Sequence, residues 1–142
     1  MRRIFALATV LFVAIVLVVR VWAAPPVKAL DGYWMGIDPI DGGDQRRSFV
    51  QQEDGTVSAV GRDSFLRLCD ESDRGVVSFE DGTFVGKRTL ATDNLKLTCF
   101  GNGAVLILKA RYDLVNANMI VEHLTTQEGA EIQSMVLHKV SR

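Results

Sequence analysis

The strongest constraint on this chain is a period-two rhythm in short apolar runs, each ended by residues that favour turns. Ala104, Leu106, Leu108, Ala110 and Tyr112 share one face of an extended run, and Lys109, Arg111 and Asp113 share the other. Leu95, Leu97 and Cys99 oppose Lys96 and Thr98 in the same way. Side chains of a strand alternate between faces, so each run reads as a half-buried strand. Further runs lie near Tyr33–Ile37, Arg46–Gln52, Thr56–Gly61, Ser64–Cys69, Gly75–Glu80, Thr83–Thr92, Met119–Thr126 and Glu131–Val140. Between the runs stand Asp54-Gly55, Asp81-Gly82, Gly101-Asn102-Gly103, Asn116-Ala117-Asn118 and Glu128-Gly129, all suited to tight hairpins. Beyond residue 23 no segment carries an apolar stripe at helical spacing over three turns. The echo of Glu53-Asp54-Gly55-Thr56 at Glu80-Asp81-Gly82-Thr83 reads as reused hairpin chemistry.

Short antiparallel strands in series leave two sheet edges to hide, and closure hides both. The expected fold is all-β: an antiparallel meander over 31–142 closed into a small barrel of eight to ten strands. A two-sheet sandwich is the alternative.

The N-terminus differs in kind. Arg2 and Arg3 precede an apolar run from Ile4 to Val19, 16 residues long. As a helix it would span roughly 24 Å, short of the ~30 Å hydrocarbon core. A positive start, an apolar middle and small residues after it read as an export signal, with cleavage after Ala23. The competing reading is an uncleaved anchor extended through Ala24, with Arg20 snorkelling to the interface. Both place the remainder outside the cytoplasm, periplasmic or secreted, and confine membrane contact to residues 1–24. Ala24-Pro25-Pro26-Val27-Lys28 begins a stiff spacer over 24–30. Without Arg2, Arg3 and Arg20, the 16 basic residues fall to 13 against 17 acidic ones, a net charge of −4. That balance argues against a nucleic-acid partner.

An even cysteine count in an exported chain points to a disulfide, here between Cys69 and Cys99. Closing that 31-residue loop, counted from 69 to 99, stabilises by roughly 3–4 kcal/mol in the chain-entropy picture.

Leu30-Asp31-Gly32-Tyr33-Trp34 opens the first expected strand. A G-x-W there resembles the calycin group, lipocalins and avidins among them. The resemblance covers Gly32, Trp34 and the strand rhythm over roughly residues 30–140, and implies that Trp34 seals one barrel end. The lipocalins' later T-D-Y is absent, and Trp34 is the only tryptophan beyond residue 23, so biotin binding is not implied. Size, export and disulfide also look like the small barrel-shaped protease inhibitors of Gram-negative bacteria, in which an N-terminal segment such as Ala24–Leu30 would block an enzyme.

Few residues suggest chemistry. Asp38, Asp41 and Asp44 lie at i, i+3 and i+6 with two glycines, a weak candidate wrap for a hard cation. The spacing is not that of an EF-hand, and a solvated loop is the simpler reading. Asp70-Glu71-Ser72-Asp73-Arg74 reads as a solvated turn. His123 and His138 fall on the last two expected strands, about five ladder positions apart, too far to share a zinc ion. Gly61-Arg62-Asp63-Ser64-Phe65 lacks the second glycine of a nucleophile elbow. Arg46-Arg47 and Lys87-Arg88 read as solvated edge charges. No cofactor and no catalytic group is expected.

The expected function is an exported, non-catalytic binding protein that takes a small apolar ligand in a barrel, lined by Trp34, Leu106, Leu108, Ala110 and Tyr112. The alternatives are an interaction or inhibitor module acting on an extracytoplasmic protein through its surface loops, and a membrane-anchored envelope protein.

Overall fold

A computed structural model describes residues 28–64, 68–69 and 75–141. Eight strands follow in chain order: β1 (Gly32–Ile37), β2 (Asp44–Gln51), β3 (Val57–Asp63), β4 (Val76–Val85), β5 (Thr89–Cys99), β6 (Val105–Asn116), β7 (Met119–Thr125) and β8 (Glu131–Ser141). Each pairs antiparallel with the next, and β1 pairs with β8, so the sheet closes into a barrel. Closure removes both edges, and the sandwich alternative falls. The expected N-terminal helix lies outside the described residues, within which no helix is long and apolar enough to cross a membrane.

The alternation read from sequence sets what faces inward. Leu108, Ala110 and Tyr112 of β6 are buried while Arg111 is exposed. Ile120, Glu122 and Leu124 of β7 are fully buried, and Gln133, Met135 and Leu137 of β8 continue the core. Barrel closure depends on Gly36. A Cβ there would press on the Val136 carbonyl and lie 2.7 Å from Met135 Cε. A side chain would therefore push β1 off β8.

Two expectations about β4 and β5 need correction. Asp81-Gly82 is not a turn. It lies inside β4, where Asp81 pairs with Ser58 and Gly82 with Val57 of β3. The turn comes later, at Gly86–Arg88, so Thr83–Thr92 is split between two strands. In the echoed segment Asp54-Gly55 does make the β2–β3 turn, so identical residues take different roles. Long-range pairing with β3 overrides local turn preference. The run Ser64–Cys69 forms no strand in its described part: Ser64 and Cys69 are bends, and Leu68 lies in a turn.

Cys69 and Cys99 form the expected disulfide, Cα atoms 5.7 Å apart. It ties the β3–β4 connection to the end of β5. The connections β1–β2, β5–β6 and β7–β8, with Leu68 and Cys69 from between β3 and β4, lie at this end of the barrel, called here the loop end. The opposite end receives the chain. Leu30 is fully buried there and accepts a hydrogen bond of 2.8 Å from the Trp34 indole N–H. Lys139 Nζ stands 5.1 Å from the centre of the same indole. Trp34 thus packs where the chain enters the barrel.

Candidate functional site

The barrel interior is mostly apolar, with buried side chains from every strand, among them Leu90, Leu95, Leu97, Leu108 and Ala110 of β5 and β6. One charged network crosses it, with members on β2, β3, β4 and β7. Arg47 points inward from β2 and is only 1% exposed. Its guanidinium donates to Asp63 of β3 and to Glu122 of β7, with Nε–Oε1 2.8 Å and Nη2–Oε2 3.1 Å to the latter. It also donates to Gln45 Oε1 at 3.1 Å. One cation therefore links three strands, and the fork geometry suits two carboxylates.

The expectation that Arg46-Arg47 is a solvated pair holds only for Arg46, which bonds Asp44 at the surface. Room for Arg47 comes from Gly61 opposite. A Cβ at Gly61 would collide with Ser78 Oγ and lie 2.9 Å from Arg47 Nη1. Burial pushes the Asp63 carboxyl up, with Arg47 pulling it back. Burial opposes the Arg47 charge, but Glu122 and Asp63 overcome it and hold the guanidinium charged.

Above this network Tyr112 packs edge-on against Phe49, ring centres 5.0 Å apart, and donates its hydroxyl to Glu80 Oε1. Burial, helped by the Glu122 charge, raises the Glu80 carboxyl to about 7. Burial and the Glu80 and Glu122 charges hold the Tyr112 phenol well above its ordinary value.

The five residues expected to line a ligand all sit on the inner side, but they do not form one surface. Leu106, Leu108, Ala110 and Tyr112 run down β6, while Trp34 lies on β1, three strands around the closed sheet. Trp34, Leu108, Ala110 and Tyr112 are core residues, and Leu106 is half-buried near the loop end.

Open space lies at the loop end. A pocket of about 290 Å³ is lined there by Asp38, Ile40, Asp41, Leu68, Ile132 and Gln133, with Glu131 at its rim. Asp38 is 4% exposed and accepts from the Ile40 backbone N–H at 2.7 Å, with Gln45 Nε2 at 3.4 Å. Asp41 accepts from the Gly43 N–H at 2.7 Å. Asp44 turns to Arg46. The three aspartates considered for a cation thus face different partners. Among the described residues no three acidic, cysteine or histidine groups converge as metal ligands.

The histidines stand apart as expected, with the register corrected by one: His123 pairs with Ser134, and His138 with Met119. His123 faces outward, Nδ1 3.1 Å from Ser134 Oγ and Nε2 3.7 Å from Asp113. Lys87 and Arg88 are exposed in the β4–β5 turn. The segment 70–74 lies outside the described residues.

No protein-family model and no curated protein matches the chain. Solved structures do match. One is a redesigned β-barrel, 14% identical with a TM-score of 0.55, covering 79% of this chain and 92% of the other. Another is the redesigned β-barrel mFAP1 bound to DFHBI, 16% identical with a TM-score of 0.56, covering 79% of this chain and 96% of the other. This chain has the fold of those small barrels. At such identity the likeness carries architecture and no shared residues. The sequence reasoning missed Arg47, Asp63, Glu80 and Glu122, although period two alone puts Glu122 inside, between Ile120 and Leu124.

Proposed function

We propose that this chain is an exported, non-catalytic binding barrel that takes a small ligand at its loop-end mouth. The observation that carries the reading is the mouth pocket: aliphatic side chains from Ile40, Leu68 and Ile132, with carboxylates of Asp38, Asp41 and Glu131 beside them. Such a surface suits a ligand with an apolar body and a cationic or hydrogen-bond-donating head, because carboxylates only accept. The Arg47 network deeper in the barrel would resist an apolar guest, since unpairing Arg47 or its partners is costly.

Three further points support the reading. The mFAP1 barrel holds DFHBI, so a barrel of this architecture accommodates a small molecule. The disulfide fits an oxidising, extracytoplasmic place. Trp34, buried where the chain enters the barrel, fits a calycin-like plan.

Mass spectrometry of protein purified from its own host, native and then denatured, tests the proposal. A bound molecule lost on denaturation is expected. A protein that copurifies with nothing, and takes up nothing from a panel of small amphiphiles, would count against it.

A further inference from the structure

Among the described residues, the fully or nearly buried ionisable side chains other than tyrosine are one cation, Arg47, and four acids, Asp38, Asp63, Glu80 and Glu122. Arg47 is committed to Asp63 and Glu122. Glu80, 6% exposed, has no cation in hydrogen-bond contact. Its Oε1 takes the Tyr112 hydroxyl, and its Oε2 finds no partner; neither does Ser78 Oγ, two residues away on the same face of β4. A buried carboxylate oxygen without a donor is costly, and a proton removes the cost.

The wall beside Glu80 is also irregular. The β4–β5 ladder breaks between Phe79 and Thr83, and the β5–β6 ladder between Thr92 and Leu95. A recess of about 390 Å³ opens there, lined by Ser58, Ala59, Val60, Glu80, Asp81 and Asn94. Glu80 thus lies at the edge of a solvent-filled recess and not deep in the core.

We propose that Glu80 is a proton-binding site built into the barrel wall, uncharged in the stable folded barrel and weakening the fold when it ionises. The charged and titratable groups around it are fixed in the fold. Tyr112 on β6 donates to it, Glu122 on β7 repels its charge, and Arg47 on β2 attracts it. On β3, Asp63 occupies the same guanidinium. Asp81 on its own strand adds repulsion, and β5 offers only exposed Asp93 and Lys96. Ionised Glu80 thus adds a further negative charge to an interior whose one cation is already shared by two carboxylates.

The sign follows. The folded carboxyl titrates at about 7 and its ordinary value is 4.5. Between these values the folded state holds a proton that the unfolded state has lost, so stability falls as pH rises through that window and is level above it. The test is urea unfolding of the full chain and of Glu80→Gln from pH 5 to pH 8. The wild-type folding constant is expected to drop on the order of 100-fold relative to that of the variant. Histidine contributions are common to both proteins and cancel. Equal pH dependence in the two would overturn the proposal. Should Glu80→Gln fail to fold, difference infrared spectroscopy of the wild type decides. Loss of a buried protonated-carboxyl band near neutral pH supports the site, and an ionised carboxyl at all pH values above 5 refutes it.

Discussion

Arg47 shows how one side chain can be visible in a sequence and still be misplaced. In Asp44–Gln51 each face of the strand carries a single apolar residue, Phe49 on one and Val50 on the other. Hydrophobic counting cannot choose between such faces. The choice is made by partners far away in the chain: Glu122 lies 75 positions on, and Gly61 leaves the space. Glu122 itself could be placed inside, since it interrupts an otherwise apolar alternation. Two outcomes are expected at these positions. Arg47→Met should destabilise by roughly 3–5 kcal/mol, because Asp63 and Glu122 then stay buried without their cation. Replacing all three with apolar residues of matched volume should recover much of that loss. Gly61→Ala should cost about 1–3 kcal/mol through crowding against Ser78 and Arg47. Chemical denaturation measures each.

Strand position is legible wherever turn residues bound a run. β1, β2, β3, β6, β7 and β8 lie within two residues of their expected runs. β4 and β5 were misdivided for a physical reason. Asp81-Gly82 has the chemistry of a turn, yet both residues pair with β3, and bulges shift the phase of β5 so that Asp93 and Asn94 are both exposed. A bulge is invisible to any rule built on strict period two. The disulfide was read from cysteine count and compartment, and the fold adds what it clamps. Reducing Cys69–Cys99 is expected to lower stability by roughly 3–4 kcal/mol. It should also raise amide exchange first at the loop end, in β5 near Cys99 and at Gly75, whose carbonyl accepts from Phe100. Exchange measured with and without reductant checks both parts. Faster exchange confined to the opposite end would contradict the clamp.

For the molecule as a whole, the barrel was foreseeable because eight alternating segments have few other ways to cover their edges. The mouth pocket was not. The alternation puts Leu106, Leu108, Ala110 and Tyr112 on the inner face of β6, and the last three lie in the core. The mouth is assembled from the β1–β2 loop, Leu68 and the start of β8, three segments far apart in the chain whose meeting only closure brings about. The account stands or falls on that mouth. The most direct measurement is a methyl NMR titration of the full-length barrel with octylammonium, octanol and octanoate, which share a tail and differ in head. Octylammonium is expected to bind most tightly and octanoate most weakly, with saturable shifts at Ile40, Leu68 and Ile132. Asp41→Asn with Glu131→Gln should narrow the difference between heads. Saturable shifts for none of the three probes, or shifts that avoid the loop end, would contradict the assignment of the mouth as the binding site.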